Sequence, residues 1–235
     1  MKVTFLGTGV SVPYENRAQS SILLKDSVNV LFDIGAGALL RLEQVGVDVC
    51  DVDAVCITHH HLDHNADLFN LLKARWLVNC TSELEIYGPP GTKNFIESLL
   101  EAYSYLRQKL KFKVYEEEEF KVGNLRIRAV PTIHSIESRG YVVDDILAIS
   151  GDTKAFKEFM SIDCDVMIHE LSLPFGYVPD FHTTPENLKE NLKYCVAEKI
   201  YLVHLYPMTH LIRDKILSFL GSGLEIANDL TTLRI

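Results

Sequence analysis

His59-His60-His61-Leu62-Asp63-His64-Asn65 is the stretch that decides how this chain is read. Upstream, Asp53-Ala54-Val55-Cys56-Ile57-Thr58 is an apolar, β-rich run that predicts a buried strand ending at Thr58. Downstream, apolar residues at 68, 69, 71, 72, 76 and 77 have helical spacing and predict a helix running to about Asn79. The histidines therefore occupy the loop between a strand and a helix, a common ligand position in α/β sheets. His59 and His61 are two residues apart and project to one side of an extended segment, while His60 points away. Imidazole nitrogen and carboxylate oxygen suit zinc and related divalent ions; Asp63 and His64 follow where the chain turns and can serve a second ion. A solvated polar loop or a pH-sensitive histidine cluster is the plainer alternative. Four histidines on one loop bring no structural return that would account for them.

The chain has 235 residues, enough for one large domain or two small ones. Its 47% hydrophobic and 23% charged content is ordinary for a globular protein. The formal net charge of −9 gives no sequence-wide basic footprint for nucleic acid. A nucleic-acid substrate is still open, because bound cations supply positive charge locally. The cysteines at 50, 56, 80, 164 and 195 are scattered and lie mostly in apolar runs, so they read as reduced core residues of a cytoplasmic protein. No signal peptide and no membrane-spanning apolar run is read, and no membrane partner is expected.

The opening strand Val3–Leu6 ends in Gly7-Thr8-Gly9, which lacks the third glycine and the helix of a dinucleotide fingerprint. Strands near 21–24 and 28–32 lead through Asp33-Ile34-Gly35-Ala36-Gly37 into a helix at 38–45. After the histidine loop come a strand at 84–87 and a helix from Lys93 to about Lys109. Strands follow at 112–115, 120–122, 125–130, 140–143 and 146–149, with Glu116–Glu119 as a solvated turn. The second half alternates again: helix 156–160, strand 165–168, helix 185–197, strand 200–203, helix 212–220 and closing strands. No linker divides the chain. Strands followed by helices in both halves, with hairpins between, predict an α/β fold. Its architecture is a four-layer αββα sandwich of two mixed sheets flanked by helices, in one domain over 1–235.

Two ions need more ligands than one loop carries. His134, Asp152 and His204 each follow an apolar strand, the same setting as His59. A single His or Asp there is ordinarily a cap or a surface residue; with the loop, the set supplies seven ligands. His59-x-His61-x-Asp63-His64 followed by His134, Asp152 and His204 resembles the five-motif signature of the metallo-β-lactamase superfamily. Phe5-Leu6-Gly7-Thr8-Gly9, Arg17, Ser20-Ser21, Tyr87-Gly88-Pro89-Pro90-Gly91, Ser150-Gly151-Asp152-Thr153, Ile168-His169-Glu170 and His182-Thr183-Thr184 are similar to the ribonuclease Z group. The likeness spans nearly the whole chain.

The resemblance implies that His59, His61 and His134 hold one divalent ion and that Asp63, His64 and His204 hold the other. Asp152 bridges them, and a shared hydroxide is the nucleophile. The ions would be zinc first, with manganese or iron open, since His/Asp sites accept all three. Asp63 is also a candidate general base. His182, in a loop just before a helix, is read as protonating the leaving oxygen or steadying the phosphate, against the plainer reading of a local cap. Glu170 is expected to orient a site histidine from behind, with His169 structural and His60 and His210 bystanders.

The superfamily hosts many chemistries. Three readings compete: a phosphodiesterase acting on a small or cyclic nucleotide-like diester, a tRNA 3′-processing endonuclease, and a non-catalytic metal-binding protein. Ribonuclease Z enzymes typically carry a basic arm between the third histidine and the bridging aspartate. Here strands fill most of the interval from His134 to Asp152, and no Gly- and Lys-rich insertion is present elsewhere. That ranks the small diester first and RNA second. His204-Leu205-Tyr206-Pro207 also resembles the small phosphodiesterases, thioester or ester hydrolysis is less favoured, and the ribonuclease Z resemblance implies a homodimer.

Overall fold

The computed structural model describes residues 1–235. In the first half, β1 (Lys2–Gly7), β2 (Ser21–Lys25) and β3 (Asn29–Phe32) pair antiparallel. β4 (Ala54–Cys56), β5 (Leu84–Tyr87) and β6 (Phe112–Tyr115) then extend the sheet in parallel. The crossovers are α1 (Ala38–Gln44), α2 (Leu62–Asn65), α3 (Leu68–Leu77) and α4 (Thr92–Ala102). A second sheet begins with the antiparallel β7 (Glu119–Val122), β8 (Leu125–Pro131), β9 (Arg139–Val143) and β10 (Leu147–Ile149). It continues in parallel through β11 (Val166–Glu170), β12 (Lys199–Val203) and β13 (Leu224–Ile226). α5 (Lys157–Met160), α6 (Pro185–Asn191), α7 (Pro207–His210) and α8 (Arg213–Leu220) accompany it, and β14 (Thr232–Arg234) returns to pair with β1.

Alternation along the strands sorts their side chains into three apolar layers. Val3, Phe5, Leu24 and Phe32 of one sheet pack with Tyr141, Val143, Ile149 and Ile168 of the other. The opposite faces, Leu23, Leu31 and Ile57 in one sheet and Ala148, Met167 and Leu202 in the other, pack under helices through Leu42, Leu68 and Leu71 and through Phe159, Leu188 and Ile216. Central strands buried on both sides read as continuous apolar runs, which is why the sequence shows them so clearly. Each fully buried Leu or Phe contributes about 1.5–3 kcal/mol. The four layers, helices–sheet–sheet–helices, are those expected from the sequence.

Several boundaries differ for local reasons. The helix after the histidine loop is broken at Ala66-Asp67 because Asp67 N–H donates to the Ile34 carbonyl, 3.0 Å, while its carboxylate accepts from Gly37 N–H at 2.9 Å. The helix from Pro185 ends at Asn191, where a short 3-10 turn, Leu192–Tyr194, takes over. α4 stops at Ala102 before a similar turn at Ser104–Leu106. α7 was not expected. Glu116 is more than a solvated turn residue: its carboxylate accepts from Gly91 and Lys93 N–H at the start of α4, where negative charge is favoured.

The cysteine expectation is corrected at one pair. Cys50 and Cys80 form a disulfide, with Cα atoms 5.4 Å apart, and only Cys56, Cys164 and Cys195 are free. The buried Arg75 guanidinium draws the same corner together, donating to the carbonyls of Val49, Val52 and Ser82. Sequence separation of 30 residues hides such a pair.

Candidate metal centre

The polar residues gather where strands of both sheets end. β4 delivers Thr58 and His59, β8 leads to His134, β10 to Asp152, β12 to His204, and β11 ends on Glu170. Gly35 lets this assembly close: a Cβ there would meet the Asp63 carbonyl oxygen at 2.1 Å. His204 has φ of +59°, a left-handed conformation that costs a non-glycine residue about 1–3 kcal/mol. It is held by its N–H bonding the Thr8 carbonyl at 2.9 Å.

All seven residues proposed as ligands meet here. His61 Nδ1 lies 3.0 Å from both His59 Nε2 and His134 Nε2, and Asp152 Oδ2 is 3.7 Å from His59 Nε2. On the other side, His204 Nε2 lies 3.3 Å from His64 Nε2 and 3.4 Å from Asp63 Oδ2. Asp152 turns its second oxygen to that group, 3.3 Å from His64 Nε2. One carboxylate thus faces two groups of ligand atoms.

The far ring nitrogens are occupied, which fixes the near ones. His64 Nδ1 donates to Asp33 Oδ2 at 2.6 Å. Thr58 Oγ1 donates to the same carboxylate oxygen at 2.8 Å, so it accepts from His59 Nδ1 at 3.0 Å. His134 Nδ1 donates to the Phe181 carbonyl at 3.2 Å, and His204 Nδ1 pairs with Ser172 Oγ at 3.0 Å. In the neutral rings of His59, His64 and His134 these partners leave the inward nitrogens as lone pairs, the arrangement that serves cation ligation. Asp152 Oδ1 is buried without a hydrogen-bonded partner. Imidazole and carboxylate atoms clustered this closely, beside a carboxylate oxygen without a hydrogen-bonded partner, fit divalent cations.

Burial holds His59 far below the usual imidazole range, which keeps its ring neutral. Burial works to raise Asp63, yet contact with the imidazole of His204 at 3.4 Å leaves it below the carboxylate range. His182 adjoins the seven: with Asp152 and His204 it forms a further group whose ligand-type atoms lie within 4.8 Å of one another. Its Nδ1 is 2.8 Å from Glu170 Oε1 and 4.0 Å from Asp152 Oδ2. Burial lowers its pKa, but the hydrogen bond and charge of Glu170 more than offset this and the net shift is upward. Glu170 also accepts from Thr153 and Ser172 N–H, so the imidazole is anchored to a fixed carboxylate. Burial and the charges of Asp152, Asp63 and Glu170 push the Tyr206 phenol up.

The other histidines are turned elsewhere. His60 pairs with Thr92 Oγ1 and stacks on Phe95, His169 is buried against Phe159, and His210 meets Arg17. The sequence reading missed Asp33, the carboxylate behind His64, and Thr58 and Ser172 behind His59 and His204. Asp33 carried a usable signal, since it follows the apolar β3 as Asp152 follows β10.

Comparison with known proteins accords with this geometry. The chain is 35% identical to ribonuclease Z of Methanocaldococcus jannaschii over 152 residues, 62% of this chain and 48% of that protein. It spans about half the length of the curated relatives it matches, or less. The metallo-β-lactamase fold protein YhfI from Bacillus subtilis superposes with a TM-score of 0.81 at 22% identity, covering 99% of this chain and 98% of that one. The short form of human tRNase Z superposes with a TM-score of 0.79 at 24% identity, covering 100% and 99%. The fold is therefore the metallo-β-lactamase fold, as the motifs implied. A family model described as anti-Pycsar protein Apyc1 matches residues 1–220, a span that holds every residue of the metal centre, and the chain belongs to that family.

Proposed function

We propose that the chain is a metal-dependent phosphodiester hydrolase acting on a small or cyclic nucleotide-like diester, with residues 1–235 working as one domain. The observation that carries this reading is the single carboxylate, Asp152, set between two groups of ligand atoms with one buried oxygen unpartnered. His59, His61 and His134 would hold one cation, Asp63, His64 and His204 the other, with Asp152 shared. Two bound divalent cations, zinc first, lower the pKa of water and neutralise charge on the attacking and leaving oxygens of a phosphodiester. The chain's own groups do the rest. Asp63, held ionised by its neighbours, is available as a proton acceptor. His182, held through Nδ1 by Glu170, can carry a proton on Nε2 and pass it to the leaving oxygen. It can also steady the charged phosphate.

Metal-dependent turnover of bis-p-nitrophenyl phosphate and of a tRNA precursor with a 3′ trailer tests the proposal. Hydrolysis of the diester with an intact precursor supports the small-substrate reading. Cleavage at the trailer junction replaces it with the second reading, tRNA 3′-processing, which the ribonuclease Z relatives favour. Against that second reading, β9 and β10 occupy the stretch between His134 and Asp152 where a basic arm would sit. A homodimer is proposed on the ribonuclease Z resemblance; exposed Leu62, Tyr103 and Tyr105 line an apolar groove between α3 and α4.

A further inference from the structure

Tyr206 stands beside the metal centre and none of the roles above uses it. Its ring lies 6.4 Å from His182 at 78° and 6.5 Å from His204 at 88°. These two imidazoles are themselves nearly parallel, 14° apart in plane, so the phenol ring meets both at a steep angle. The buried tyrosines Tyr87 and Tyr141 give their hydroxyls to Glu85 and to the Ile57 carbonyl. The half-buried Tyr206 gives its hydroxyl to no protein atom, although carboxylates surround the site. A partly desolvated hydroxyl without a partner is one that an incoming acceptor can satisfy.

The backbone holds this residue in place before any ligand arrives. Tyr206 N–H donates to the Ser172 carbonyl at 3.2 Å, and its own carbonyl accepts from Thr209 and His210 at 2.9 Å each. Thr209 Oγ1 donates to the same Ser172 carbonyl at 2.6 Å, while Ser172 Oγ holds His204. Pro207 fixes the turn that follows. One short segment therefore sets His204 and Tyr206 relative to each other. The cation of the neighbouring loop, Arg17, is already committed to Thr8, the Ala227 carbonyl and Asn228. A neutral donor is well suited to a site so rich in ligands, because a phenol does not compete with them for cations.

We propose that Tyr206 is a substrate contact that donates a hydrogen bond from its phenol to a nonbridging oxygen of the phosphoryl group held at the metal centre. The proposal rests on the hydrolase reading, and its test separates the two. Metal-loaded wild type and Tyr206→Phe are compared in metal content, in turnover of bis-p-nitrophenyl phosphate, and in calorimetric binding of inorganic phosphate. The expected result is unchanged metal content, with kcat/KM and phosphate affinity each reduced about 10- to 100-fold, the size of one hydrogen bond to a charged group. Equal phosphate affinity in the two proteins overturns the contact, and so does loss of metal from the variant. A wild type that hydrolyses no diester while Tyr206→Phe still weakens phosphate binding removes the hydrolase reading and leaves the contact in place.

Discussion

Asp152 and His182 sit 4.0 Å apart at their nearest charged atoms, yet the environment gives them opposite tasks. Asp152 is enclosed by imidazoles and has a buried oxygen without a hydrogen-bonded partner; His182 already has its carboxylate in Glu170. Asp152→Ala is expected to lose turnover and metal together, seen as metal content falling below that of wild type. Substantial activity with full metal content in that variant would sink the shared-ligand assignment. His182→Ala is expected to keep its metal while hydrolysis slows by roughly 10²- to 10⁴-fold, the usual range for a lost general acid. Metal loss there would make it a ligand instead. At this scale the sequence was most informative about the residues that cluster at the candidate centre, because each proposed ligand follows an apolar run with a group that packing does not call for. Residues one step behind, such as Asp33 and Ser172, look like ordinary turn residues until their partners are known.

At the scale of elements, the long β-strands are legible and the helix ends are not. A strand buried on both faces must be apolar throughout, whereas a helix stops where a neighbour recruits its backbone, as Ile34 recruits Asp67. The tight contact between the Asp33–Gly37 turn and the metal loop belongs here. Gly35→Ala would drive a Cβ into the Asp63 carbonyl and to within 2.5 Å of Gln19 Cβ, and neither is the flexible end of a side chain. A destabilisation of about 1–3 kcal/mol is expected from such overpacking, with metal affinity falling because the displaced loop carries Asp63 and His64. Thermal melts of the two proteins with and without metal check both parts; an unchanged metal affinity would uncouple the turn from the site.

Across the whole molecule, the proposed ligands come from both sheets: His59, His61, Asp63 and His64 follow β4, while His134, Asp152 and His204 follow β8, β10 and β12. Cation binding should therefore resist separation of the halves. Chelation is expected to lower the melting temperature, by about 2–4 °C for each kcal/mol of binding free energy lost in a chain of this size. Equal melting of the metal-free and metal-loaded forms would contradict ligation across the sheets. The order of strands and helices was readable because it follows local pattern. The return of β14 to β1 and the pairing of Cys50 with Cys80 were not, since both join residues far apart in sequence.

That cysteine pair encloses the whole stretch that carries His59, His61, Asp63 and His64. Those four residues lie inside a covalent ring whose closure falls on neither the loop nor the cleft. A peptide bond hydrolysed anywhere within the ring would leave two fragments still tied by sulfur, so a single cut cannot release these four residues from the rest of the chain.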